Sequence, residues 1–210
     1  MYTLYHHPYS QHSRRVISLL EQTAIPYQAV MVDMMQNAHL SPGYLAINPN
    51  HQVPTLMDDS HTEAEGGPVI IHESNAILRY VCTQQGLSDW YPSQGRPRAM
   101  VEQWLDWNQC QLAALVMDIV LNTVFMGDIG DMDAAERALQ KIQPRFSVLE
   151  QYLAQHPYLA GPNPTIADLA LASNLFQLSL AKAIPESEHI QRWYDKIASL
   201  PGFIASLPKT

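Results

Sequence analysis

The hydropathy pattern of this chain changes character between residues 86 and 97, and that change restricts the architectures open to it. Before that point, short apolar runs alternate with stretches of helical spacing; after it, almost every apolar position recurs at helical spacing. Mixed elements followed by helices alone describe an α/β domain and a separate all-α domain. Residues 2–5 predict a strand. From Ser13, the positions Val16, Leu19, Leu20 and Ala24 predict a helix that Pro26 ends, and Tyr27 to Val32 predicts a second strand with Val30 and Val32 on one face. A helical crossover of this kind favours a parallel pair. A short helical turn up to Ile47, a strand over Val53–Asp58, an exposed polar turn over Asp59–Gly67, a returning strand over Pro68–Ile71 and a helix from Glu73 follow. The expected order is β-α-β-α-β-β-α over residues 1–85. Gly86, Pro92, Gly95 and Pro97 mark a linker over 86–97, and 98–210 is expected to be a helical bundle. Its helices are placed at about 98–125, 134–154 (bent at Pro144), from Thr165 to Leu180, and 188–200. Thr165 and Asp168 suit a capping box, and the apolar run Leu169–Leu180 suits the centre of the bundle.

Apolar residues make up 47% of the 210 residues and charged residues 15%, enough for a sizeable core. The net charge of −8 argues against sequence-independent nucleic-acid binding, which needs basic groups to neutralise phosphates. Cys82 and Cys110 have no metal-ligand spacing and imply no disulfide framework. The opening residues show no basic leader and no long apolar stretch, so neither a signal peptide nor a membrane span is expected.

Three segments carry chemistry. Tyr9-Ser10-Gln11-His12-Ser13-Arg14-Arg15 lies where a strand meets a helix N-terminus, a place whose free N–H groups and dipole favour an anion. In a thioredoxin-like βαβ unit this junction carries the redox C-x-x-C; here Ser10 and Ser13 hold that spacing. A hydroxyl cannot exchange with a disulfide, but it can donate a hydrogen bond to a thiolate. Taken alone, Ser10 reads first as a plain helix cap. In the second segment, Asn48 to Pro54, a cis Val53-Pro54 bond would turn the Val53 N–H and C=O outward to pair with an extended peptide; an ordinary trans proline entering an edge strand is the alternative. In the third, Ser74 at a helix N-terminus could receive a carboxylate and Glu73 an ammonium group, or the two could form a routine cap. Together these describe a site for a small zwitterionic peptide with a thiol, which is glutathione.

The order and spacing of these pieces resemble the glutathione transferase superfamily, most closely its serine-type theta and delta classes. Y-S-Q-H-S-R-R-V is similar to their catalytic serine segment, and the run from His39 to Leu56 resembles their H-L-x-P-x-[FY]-L-x-[IL]-N-P-x-H-x-[IV]-P-T-L. The resemblance implies a thioredoxin-like N-terminal domain that binds glutathione and a helical C-terminal domain that lines an electrophile site between the two. Ser10 would be catalytic, hydrogen-bonding the sulfur. His39 and His51 would meet the glycine end, Val53 would pair with the cysteinyl backbone, Pro54 would be the family's cis proline, Glu73 and Ser74 would hold the γ-glutamyl end, and Gln52 and Asn75 would also belong to the glutathione site. Tyr9, Gln109, Ala113 and Met117 would line the electrophile pocket; the last three follow i, i+4, i+8 spacing, which also suits simple helix packing. The implied protein is a cytoplasmic, homodimeric detoxifying transferase with glutathione as co-substrate, no metal, and no nucleic-acid or membrane partner. A non-catalytic relative acting in protein binding is the alternative. Two features depart from the pattern: the delta-class motif often reads E-S-R where this chain has Asn75, which removes a cation, and the segment 58–67 exceeds a tight hairpin, so that its acidic residues would reshape the cleft rim.

Overall fold

A computed structural model describes residues 1–61 and 66–209. Glu63 and Glu65, within the expected polar turn, lie outside the described residues. The chain forms two compact units, one of residues 1–86 with 200–210 and one of residues 87–199.

The first unit is built on a four-stranded sheet of order β2-β1-β3-β4, with β1 Tyr2–His6, β2 Tyr27–Met31, β3 Thr55–Asp58 and β4 Val69–Ile71. β1 and β2 run parallel, as the crossover requires; β3 is antiparallel to β1 and to β4. Helix α1 (Gln11–Gln22) joins β1 to β2. Ser10 caps it by accepting a hydrogen bond from the Ser13 N–H, and Val16, Leu19 and Leu20 are completely buried. A 3₁₀ turn over Ala38–Leu40 leads to the single-turn α2 (Pro42–Leu45), capped by Ser41 with proline at its first position. Helix α3 (Ser74–Gln84) closes the expected β-α-β-α-β-β-α order.

In the second unit α4 (Gly95–Trp107) continues through a π-helical stretch at Asn108–Ala113 into α5 (Ala114–Val120) and a second π-helical stretch at Leu121–Phe125. The single regular helix expected over 98–125 is thus interrupted twice by i→i+5 turns, each of which rotates the residues beyond it relative to an α-helical stripe. Helix α6 (Met132–Leu153) starts two residues before the expected position and passes through Pro144. Helices α7 (Ile166–Leu180) and α8 (Glu188–Ala198) follow. α7 is buried along almost its whole length, and its N-terminus carries the expected capping box. The 86–97 segment is not a free linker: the Ile166 N–H donates to the Trp90 carbonyl at 3.1 Å, and the Arg98 guanidinium lies 3.9 Å over the buried Tyr91 ring. No helix among the described residues is long and apolar enough to cross a membrane.

The expected bundle ran to residue 210, but the last residues belong to the first unit. A short helix α9 (Pro201–Ala205) lies against α1. The Gly202 N–H donates to Gln22 Oε1 at 2.9 Å, and the Ser18 hydroxyl donates to Ser206 Oγ at 2.9 Å. Only glycine permits the approach: a Cβ at 202 would stand 2.4 Å from the Gln22 nitrogen and 2.5 Å from the Ser18 carbonyl oxygen, both backbone atoms.

Gly202→Ala is therefore expected to lower stability by about 1–3 kcal/mol, because overpacking outweighs the better helix propensity of alanine. A thermal melt that rises instead would refute that contact. Asp168 in the second unit is fully buried and accepts from Leu159 N–H at 3.0 Å, Thr165 N–H at 2.8 Å, Thr165 Oγ1 at 3.0 Å and Trp193 Nε1 at 2.8 Å. Asp168→Ala leaves those donors unpaired and is expected to cost about 3 kcal/mol or more. Urea unfolding reads this as a lower midpoint at unchanged slope; a loss below about 1 kcal/mol would mean the donors find other partners.

Candidate functional site

Strand directions gather the candidate residues at one end of the sheet. Tyr5 on β1 stands opposite Thr55 on β3, so Val53-Pro54, just before β3, lies at the end where β1 leads on to Ser10. β2 is parallel to β1, so the chain leaves it toward His39 at that same end. β4 is antiparallel to β3, so it also delivers Glu73 and Ser74 there. The open end of a sheet, where several strands hand over to helices and loops, is a common place for a ligand.

The serine segment is ordered by its own backbone. The Ser10 N–H donates to the His7 carbonyl at 3.0 Å, the Ser13 N–H donates to Ser10 Oγ at 3.2 Å, and the Arg14 N–H donates to the Ser10 carbonyl at 2.9 Å. As a cap, the Ser10 oxygen accepts, which leaves its hydrogen as a donor for an incoming anion. Tyr9 beside it is 44% exposed.

The second segment is held by a buried polar network. Asn48 is 1% exposed; its Nδ2 donates to the Gln52 carbonyl at 2.9 Å and to Thr55 Oγ1 at 3.0 Å, and its Oδ1 accepts from the Asn50 N–H at 3.0 Å. The Tyr44 hydroxyl donates to the same Gln52 carbonyl at 2.6 Å. The Val53-Pro54 bond is cis. Among the described residues, no partner is found for the Val53 N–H or C=O, the pair that an extended peptide would use. His39 and His51 approach to 6.3 Å between ring centroids, and His51 adopts a left-handed backbone with φ 48°.

The third segment carries a further backbone outlier. Glu73 precedes α3 with φ 65° and ψ 112°, exposed and without a capping hydrogen bond from its side chain. Non-glycine residues avoid such conformations, and those that adopt them cluster at functional sites. Ser74 is 5% exposed, and its hydroxyl meets His12 Nδ1 at 3.4 Å. Burial, reinforced by the nearby Arg15 charge, pushes the His12 pKa down to about 3, so its imidazole is neutral at physiological pH. Asn75, expected to face the ligand, is only 8% exposed and turns its Oδ1 to Arg15 Nη1 at 3.0 Å.

The expected Gln109–Ala113–Met117 stripe does not present one surface. Gln109 and Met117 are exposed, whereas Ala113 is 3% exposed, and the π-helical stretch at 108–113 explains why i+4 spacing fails there. Reading the sequence also missed three organising residues. Asn48 and Thr55 sit inside the 39–56 run without obvious chemistry of their own. Arg15 left a signal: it stands four residues before the buried Leu19, on the apolar face of α1, where a charge needs a reason.

Comparison with known proteins identifies the family of this fold. Residues 4–89 match the family described as "Glutathione S-transferase, N-terminal domain" and residues 112–201 the one described as "Glutathione S-transferase, C-terminal domain". The chain is similar to glutathione S-transferase 2 of Anopheles gambiae, 31% identical with 99% of this chain and 95% of that protein covered. It is also similar to the Escherichia coli K12 glutathione S-transferase GstB, at 29% identity over 96% and 95%. The crystal structure of a theta class glutathione S-transferase from Xanthomonas axonopodis pv. citri, with glutathione bound, superposes with a TM-score of 0.87 at 26% identity, covering all of this chain and 98% of that one. With a thioredoxin-like first unit, a helical second unit and this likeness along nearly its whole length, the chain belongs to the glutathione S-transferase family.

Proposed function

We propose that this enzyme conjugates the thiolate of glutathione to small hydrophobic electrophiles, and that Ser10 holds the thiolate. The observation that carries the reading is the engagement of the Ser10 hydroxyl as an acceptor: its oxygen accepts from the Ser13 N–H, so its hydrogen remains available to donate to an anion at the α1 N-terminus. Glutathione lies extended along the open sheet end. His39 and His51 receive its glycine carboxylate, the Val53 backbone pairs with its cysteinyl residue, and Gln52 and the cis Pro54 shape that wall. Glu73 receives the γ-glutamyl ammonium and Ser74, with the α3 N-terminus behind it, the carboxylate. Tyr9, exposed beside Ser10, contacts the electrophile. The homodimer, the cytoplasmic location and the detoxifying role that the family implies belong to the same reading.

The energetics need neither a metal nor a dedicated base. A free thiol has a pKa of about 8.5, which leaves roughly 3% as thiolate at pH 7. Lowering that pKa by ~2 units takes about 2.7 kcal/mol of preference for the anion. One charge-assisted hydrogen bond contributes about 1.5–3 kcal/mol and a helix N-terminus about 0.3–1 kcal/mol, so the two suffice. The thiolate fraction then rises to roughly 75%. The rate gains less than that ratio, because nucleophilicity falls with pKa.

The test is a pH titration of the thiolate absorbance of bound glutathione. The wild-type enzyme is expected to show a depressed pKa, and Ser10→Ala to return it by about 1–2 units while lowering kcat/KM roughly 10–100-fold. A depressed pKa unchanged in Ser10→Ala would move the role to the helix N-terminus. A wild-type protein that binds no glutathione would favour the non-catalytic, protein-binding alternative.

A further inference from the structure

Residues 7–9 carry β1 into Ser10, and the polar groups of this turn find partners close by. The His7 N–H donates to Ser13 Oγ at 3.4 Å, and the His7 carbonyl accepts from the Ser10 N–H at 3.0 Å. The Pro8 carbonyl accepts from Arg14 Nη2 at 3.5 Å, and proline has no N–H to place. The Tyr9 N–H donates to Nδ1 of the His7 ring at 3.3 Å. A side chain that accepts from the N–H two residues on makes an Asx turn, built here with an imidazole in place of an amide. One residue thus fixes the turn through its N–H, its carbonyl and its ring, and the turn delivers Ser10 to the α1 N-terminus.

The ring can do this only while it is neutral. Nδ1 is then an acceptor and the proton sits on Nε2, whereas a protonated imidazole donates from both nitrogens and has no acceptor to offer. Burial pushes the His7 pKa below the ordinary imidazole value, and the Asp33 carboxylate, on the loop after β2, opposes part of that shift. The other charged or titratable groups about the ring are His6 on β1, Tyr9, whose ring centroid lies 6.1 Å away, and Arg14 of α1, which reaches the turn through Pro8. The other bonds named above run between backbone groups, a serine hydroxyl and a guanidinium, none of which titrates near neutrality.

We infer that His7 is a positioning residue for Ser10: its neutral ring holds the Tyr9 N–H and, through that turn, sets how the Ser10 hydroxyl meets the glutathione thiolate. The inference rests on Ser10 being the hydrogen-bond donor to that thiolate. His7 acts on Tyr9 and Ser10, and not on the sulfur. Protonating the ring releases the Tyr9 N–H and loosens the turn, so the sulfur takes up its own proton more readily and the two protonations reinforce each other. A cationic imidazole acting on the thiolate through space would do the reverse and hold the sulfur's proton off.

The experiment follows the thiolate absorbance of bound glutathione from about pH 4.5 to 8.5. The wild-type curve is expected to fall more steeply than a one-proton titration. His7→Leu removes the acceptor and is expected to raise the midpoint by about 0.5–1 unit and to lower kcat/KM about three- to tenfold. His7→Asn returns an acceptor of Asx-turn geometry that does not titrate; it is expected to bring the midpoint back to within about 0.3 unit of wild type, now with a one-proton slope. In a Ser10→Ala background, His7→Leu is expected to move the midpoint by less than about 0.2 unit, since a residue that works through Ser10 has nothing left to position. Hydrogen exchange of the Tyr9 amide, read without any ligand, is expected to quicken about three- to tenfold in His7→Leu and to slow again in His7→Asn. An unchanged midpoint in His7→Leu, no rescue by asparagine, an equal shift in the Ser10→Ala background, or a wild-type curve shallower than one proton would each overturn the inference. Should His7→Leu fail to fold, His7→Gln, whose longer amide misses the Asx geometry, takes its place against His7→Asn. A depressed wild-type pKa that Ser10→Ala leaves unchanged, or no glutathione binding at all, would instead remove the role of Ser10, and that of His7 with it.

Discussion

The proposed role of Ser10 depends on where the N-terminus of α1 is held. One hydroxyl at that point cannot stabilise a thiolate unless the helix dipole behind it and the backbone before it are fixed, because a charge-assisted hydrogen bond weakens steeply with poor geometry. The helix is fixed at both ends. Near its start, His12 and Arg15 meet Ser74 and Asn75 of α3. Near its finish, Gln22 and Ser18 meet Gly202 and Ser206 of α9. Between them, Val16, Leu19 and Leu20 are sealed from water. Ser10 therefore sits at the start of a regular element whose position is set by contacts well away from it.

Much of the fold was legible because its signals are local. Ser10 and Thr165 each announce a helix start, and each caps one. The βαβ spacing implies parallel β1 and β2, and the pairing follows it. What stayed hidden is what spacing alone does not encode. A π-helical turn keeps helical composition while adding a residue to the turn, so Gln109, Ala113 and Met117 look equivalent in sequence and differ in exposure. α9 is five residues long, too short to show a period, and its meaning lies in a tertiary contact that a single glycine permits.

The candidate site divides in the same way. Ser10, His39, His51, Val53, Glu73 and Ser74 stand out as candidates because their side chains or backbones have an evident chemical use. Asn48, His12 and Arg15 do not stand out in that way, because their contacts in the fold are with other residues. Asn75 shows the difference most clearly. As a letter in a pattern it is a missing cation; in the fold it is the acceptor for a cation that comes from elsewhere. The chain carries a net charge of −8, yet it buries the Arg15 guanidinium against this one corner. Local potential is thus set by placement, and overall charge says little about it.

The return of the C-terminal residues to the first unit has a consequence for the order of events during synthesis. Residues 1–86 leave the ribosome early and contain every strand of the sheet, but their unit is discontinuous in sequence. The surface of α1 at Ser18 and Gln22 is covered only when residues 200–206 have been made, after the whole of the helical unit. The first unit, which starts to fold early, thus leaves this face of α1 uncapped until a segment made after the helical unit closes it.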